Sequence, residues 1–151
     1  MVRLKYRYFL TSLHYLDSNL DLQLTGQILQ NAIYNSIEEN YGQFGLGHVQ
    51  GRIKIVYLGL LSGTALIRVP ADFEKQSRVS LSSLVVVNSK RCVLNVIHVG
   101  GTIRSCQKQL VKHNVNVLHR QMLDTHDVRE REQIKGVLEE TLKDIRNLAV
   151  S

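Results

Sequence analysis

Tryptophan is absent from this chain of 151 residues, proline occurs once (Pro70) and cysteine twice (Cys92 and Cys106). A single proline excludes a proline-rich linker. Two cysteines cannot build the disulfide framework of a small secreted domain, so a reducing, intracellular setting is expected. No apolar run approaches the roughly eighteen residues of a membrane-spanning helix. The first residues carry a cation at every second position from Arg3 through Arg7, which breaks the apolar stretch a signal peptide needs. Acids are also in short supply: 13 Asp and Glu stand against 19 Lys and Arg, for a net charge of +6 and a pI near 9.5. That balance tilts the expected partner towards nucleic acid or another polyanion.

What is present suits a folded chain. Hydrophobic content is 44% and charged content 21%, which argues against global disorder. The length suits one domain spanning 1–151, with a core over about 1–100 and a helical extension over about 102–149.

Met1 to His14 alternates, with Arg3, Lys5 and Arg7 on one side and Leu4, Tyr6, Tyr8 and Leu10 on the other. Period two predicts a strand with one buried face and a cationic row along the open face of a sheet. Leu24, Ile28, Ala32, Ile33 and Ile37 form a helical stripe over Thr25 to Asn40. Gly42 is placed to cap that helix, and Gly42 to Gly47 reads as a flexible connection, because no Lys-Ser/Thr follows as a phosphate loop requires. Gln50 to Leu58 and Thr64 to Val69 read as a hairpin, with Ile53, Ile55 and Tyr57 on one side, Arg52 and Lys54 on the other, and Arg68 beside Leu66. Pro70 is placed to start a second helix running to Leu84. Asn88 to Arg91 reads as a basic turn leading into a strand, Cys92 to Val99.

After that strand come Gly100, Gly101 and Thr102, then a helix with Ile103, Cys106, Leu110, Val111 and Val115 at helical spacing. The glycine pair allows a turn closed to other residues, and Thr102 is a candidate N-cap. Arg104 and Lys108 lie four apart on one face of that first stretch. The combination either holds an anion, most simply a phosphate, or is a tight turn with surface charges. Asn114 and Asn116 are expected to bend this helix. Asp127 to Asn147 forms the last one. The order β-α-β-β-α-β plus two helices predicts an α/β chain of the α+β kind, a ferredoxin-like sandwich also used by RNA-recognition motifs. Fold alone does not decide function.

Catalytic chemistry finds no support. Cys92, His98 and Cys106 lack zinc-site spacing. Cys106 follows Arg104, the reverse of a cysteine-phosphatase loop, and sits on the apolar side of its helix, where burial would raise its pKa. No catalytic residue, metal ligand or protein-bound cofactor is expected. Binding remains. Arg3, Lys5, Arg7, Arg52, Lys54 and Arg68 are expected to share one sheet face, with Lys90, Arg91, Arg104 and Lys108 clustered at one end. Such cations gain affinity by releasing counterions from a phosphate backbone. The strand Arg52 to Tyr57 lacks the aromatic pair on which RNA-recognition motifs stack bases, so phosphate and shape contacts are expected. The other reading is a protein-interaction module whose faces are covered by partner subunits.

His98-Val99-Gly100-Gly101-Thr102-Ile103-Arg104-Ser105-Cys106-Gln107-Lys108 resembles the signature of the Pop-five subunits of eukaryotic ribonuclease P and ribonuclease MRP. So do Met1 to Tyr8, Gly42-Gln43-Phe44-Gly45 and Tyr57-Leu58. The resemblance spans the chain to about Leu118. It implies an RRM-like core within a ribonucleoprotein whose catalytic RNA, with bound magnesium, removes the 5′ leader of precursor tRNA. It also implies ribonuclease P RNA and MRP RNA as partners, rRNA precursor processing, and pairing with a thirty-kilodalton TIM-barrel-like subunit. The implied location is the nucleus and nucleolus.

Overall fold

Both faces of the central sheet carry helices: α-helical segments pack on each side of the first strand among the described residues. The computed structural model describes residues 3–17, 21 and 23–148. The elements are β1 (Tyr6–Tyr15), α1 (Gly26–Val49), β2 (Lys54–Gly59), β3 (Thr64–Pro70), a 3-10 turn (Ala71–Phe73), α2 (Glu74–Ser83), β4 (Val86–Val87), β5 (Lys90–Gly100), α3 (Ile103–Asp124) and α4 (Val128–Leu148). Five antiparallel strands lie in the order β2-β3-β1-β5-β4. Without the short β4, this is the expected α+β, ferredoxin-like sheet.

Alternation along β1 divides the core. Phe9 and Leu13 pack with Leu29, Ile33 and Ile37 of α1 and Leu81 of α2. Leu10, one residue on, packs with Leu66, Cys106, Leu110 and Ile145 in a second cluster, under α3 and α4. The side of β1 that carries Arg7, anticipated as the open face with its cationic row, is therefore the face packed against α1 and α2, and the opposite face lies under α3 and α4. Arg3 and Lys5 are exposed but lie ahead of β1.

Several sequence expectations are corrected. Gly42 (φ 70°, ψ −169°) interrupts the helix where a cap was expected, but helix resumes at once through Gly47 to Val49 in place of the flexible connection, so α1 is two helical runs meeting at a kink. Pro70 closes β3, paired with Tyr6, and α2 begins at Glu74 after a 3-10 turn. Asn88 and Ser89, at φ 51° and 62°, join β4 to β5 in a tight hairpin, which puts Lys90 and Arg91 inside a strand. The β2 side assignment fails at a bulge: Ile55 pairs with Ile67, but Tyr57 pairs with Leu66. The extra residue, Val56, turns Tyr57 to the α3 side while Ile53 and Ile55 stay under α1. Finally, α3 is unbroken. Asn114 is fully buried on its inner face, where its Oδ1 accepts from Thr64 Oγ1 at 3.4 Å, and Val115 is exposed.

Candidate nucleic-acid interface

The end of β5 sets the position of α3. A Cβ at Gly100 would meet Ser105 Oγ and stand 3.0 Å from the buried Cys106 Sγ, so glycine leaves room for the first turn of α3 to fold back this tightly. Neither Gly100 nor Gly101 adopts a positive φ. The glycine requirement at position 100 is thus one of close approach and not of left-handed backbone, which corrects the sequence reading. Thr102 caps the helix as expected, with Ser105 N donating to its Oγ1 at 3.2 Å. Arg104 and Lys108 emerge exposed on the first two turns.

From Gly100 a row of paired residues crosses the sheet: Gly100 faces Tyr8, Tyr8 faces Arg68, and Arg68 faces Lys54. Three strand spacings make this row roughly 14 Å wide. The Arg68 guanidinium lies 4.4 Å from the Tyr6 ring centroid, a cation–π contact, and Lys54 is exposed. Lys5 stands just before β1 at the same end, and its carbonyl accepts from Ala71 N at 2.9 Å. Lys5, Lys54, Arg68, Arg104 and Lys108 therefore gather at one end of the sheet, around Thr102 and the glycine pair.

Four other candidates do not join them. Arg7 points to the α2 side, where its Nε lies 3.4 Å from Glu74 Oε2. Arg52 precedes β2, pairs with Asp72 at 3.3 Å and donates to the His48 carbonyl. Burial works against the Asp72 carboxylate, but Arg52 and His48 outweigh it and hold that carboxyl below its usual range. Lys90 lies 3.9 Å from Asp21 and over the Tyr15 ring, with Arg91 exposed beside it. These two begin β5 while Arg104 follows its end, about 30 Å away at strand rise. The expected cluster of Lys90, Arg91, Arg104 and Lys108 is thus two groups at opposite ends. Sequence reasoning also missed Arg146, which α4 brings beside Arg104 and Lys108. No spacing rule links residues so far apart in the chain.

Both thiols are buried, and burial pushes the pKa of Cys92 and Cys106 up. Cys106 Sγ donates to the Tyr8 carbonyl at 3.4 Å, so it holds α3 against β1 as an inert thiol. Among the described residues no three His, Cys, Asp or Glu side chains stand together as a metal site. The arrangement offers exposed positive charge and a capped helix start, which is binding chemistry.

Comparison with known proteins agrees with the resemblance seen in the sequence. The profile of the Rpp14/Pop5 family matches residues 7–111. The mouse ribonuclease P/MRP protein subunit POP5 is 33% identical over 139 residues, covering 89% of this chain and 82% of its own length. The human protein of the same name is 32% identical, covering 89% and 85%. A chain in the cryo-EM structure of yeast ribonuclease MRP superposes with a TM-score of 0.55 over 97% of this chain and 98% of its own, at 18% identity, a likeness of fold.

Proposed function

The chain belongs to the Rpp14/Pop5 family, and we propose that it is a non-catalytic, RNA-binding protein subunit of ribonuclease P and ribonuclease MRP. One observation carries the RNA-binding part: Lys5, Lys54, Arg104 and Lys108 are exposed at one end of the sheet, and none of them is ion-paired among the described residues. Charge left unneutralised on one side suits a phosphate backbone, which gains by counterion release. In this reading the partner RNA, with its own magnesium, does the chemistry of 5′-leader removal and rRNA precursor cleavage. The protein supports the folded RNA and binds no cofactor itself. The particle works in the nucleus and nucleolus.

A second reading, a protein-interaction module without RNA contact, draws on Phe44. Its ring is 89% exposed on the turn of α1 after the Gly42 kink. In the favoured reading that ring faces a protein neighbour, the thirty-kilodalton TIM-barrel-like subunit, leaving the cationic end to RNA.

The deciding experiment is native purification of the tagged chain from nuclear extract, with half the sample treated with ribonuclease. The proposal predicts one or two abundant structured RNAs, several basic proteins and cleavage of precursor tRNA by the untreated particle. If no RNA is enriched and a protein partner survives in both halves, the interaction-module reading stands.

A further inference from the structure

Between the start of α3 and the end of α4 lies an open groove of about 630 Å³, lined by Arg104, Gln107, Lys108, Val111, Ile145 and Arg146. Its accessible floor is apolar: Val111 is half-buried there, with Ile145, 1% exposed, packed beneath it. Gln107 is turned inward, its Nε2 donating to the Ile145 carbonyl at 2.7 Å, so its amide ties the two helices together and is already engaged. The rim is cationic. Arg104, Lys108 and Arg146 are exposed, and none forms an ion pair among the described residues. A ligand that satisfies this surface carries negative charge at one edge and a flat apolar body beside it.

An unpaired nucleotide has that build; a bare phosphate leaves the floor wet, and a duplex hides its bases behind its phosphates. The volume falls within the roughly 300–1,000 Å³ of small-ligand sites. We propose that this groove seats one nucleotide of an unpaired RNA segment, with its phosphate on Arg104, Lys108 and Arg146 and its base against Val111, directly above the buried Ile145. The proposal rests on the RNA-binding reading and deepens it by naming single-stranded RNA as the form recognised. Aliphatic contact reads no base edge, so the seat tolerates any base.

The test uses the full chain with labelled valine and isoleucine methyls. It is titrated with single-stranded pentaadenylate RNA, with a short RNA duplex, and with polyglutamate. The Val111 and Ile145 methyl resonances shift with the single strand and far less with the duplex. Val111→Ser weakens single-strand binding roughly three- to tenfold through lost apolar burial and leaves the salt slope unchanged. Arg146→Ala weakens it and lowers the slope of log affinity against log salt by about 0.7. Lys135→Ala, on the exposed side of α4, changes neither. Helicity and melting of each variant are recorded alongside; if Val111→Ser does not fold, Val111→Thr and the unsubstituted titration decide. RNA that binds with silent methyls, or that binds Val111→Ser with full affinity, overturns the groove while leaving the RNA-binding reading intact. Absence of any RNA affinity overturns both. Methyl shifts with polyglutamate but not with RNA overturn the nucleotide seat and make the groove a dock for an acidic protein.

Discussion

Two adjacent glycines at the end of β5 carry different burdens. An added methyl at Gly100 meets Ser105 Oγ, which must rotate away, and stands 3.0 Å from the buried Cys106 Sγ, which must give by a few tenths of an ångström. At Gly101 the nearest atom is Arg7 Nη1, 3.8 Å from an added Cβ, an ordinary contact at an exposed position. Gly100→Ala is therefore expected to cost about 1–3 kcal/mol, as overpacking does, and Gly101→Ala to stay within about 0.5 kcal/mol. Urea denaturation of both variants measures the contrast. Asp21 gives a second residue-scale prediction. Asn88 Nδ2 donates to its Oδ2 at 2.7 Å, Gln23 N donates to its Oδ1, and Lys90 lies nearby. The Asn88 hydrogen bond leads in holding this carboxyl below its ordinary value of 3.8, against the opposing effect of burial. A depressed folded pKa contributes stability that is present above the unfolded value and lost as pH falls through the folded one. The melting temperature should thus drop on acidification below pH 4, with a shallower acid limb in Asp21→Asn. A parallel limb would show that the Asn88–Asp21 contact does not hold the hairpin.

At the scale of elements, α4 is held at few points. Of its apolar stripe only Ile145 is buried, packed with Leu10, Leu66, Cys106 and Leu110, while Ile134, Val137, Leu138, Leu142 and Leu148 are half-covered. Ile145→Ala should cost about 2–5 kcal/mol as a core truncation. Hydrogen exchange should then show α4 opening more readily than β1. Equal opening throughout would mean that α4 is an integral part of the core. The helices were legible because their stripes are long, and the strands because they alternate. What misled the reading was local and steric. The single residues inserted at Val56 and Ile97 turn one side of an alternating strand to the other face, and no composition marks them. A two-residue strand such as Val86–Val87 has no period to read. Gly42 carries the signal of a helix end, and nothing in the glycine-rich stretch after it shows that helix resumes through Val49. Asn114 reads as a helix breaker until its partner Thr64, fifty residues away, is in place.

At the scale of the whole molecule, the division of cations between paired and unpaired is set by the fold in a way the sequence could not show. The cations are visible as residues, and Thr102, Arg104 and Lys108 stand together because they are neighbours in the chain. Which cations remain unpaired depends on where Glu74, Asp72 and Asp21 fold to, and each neutralises a basic residue distant from it in sequence. Lys90 thus stabilises the hairpin against Asp21 at one end of β5, while Lys54, Arg104 and Lys108 stay exposed at the other. If the RNA lies along the second end, charge reversal separates the two. Lys54→Glu and Lys108→Glu should each lower affinity for a structured RNA severalfold at moderate salt. Each should also reduce the salt slope by about 0.7–0.9, with no loss of melting temperature. Arg91→Ala, about 30 Å away by strand rise, should leave affinity and slope unchanged, and Lys90→Ala should lower melting temperature alone. Fluorescence anisotropy across a salt series reads all four. Equal losses from both ends would mean that the RNA wraps the molecule, and the pairing of Lys90 with Asp21 would then be exchanged for phosphate on binding.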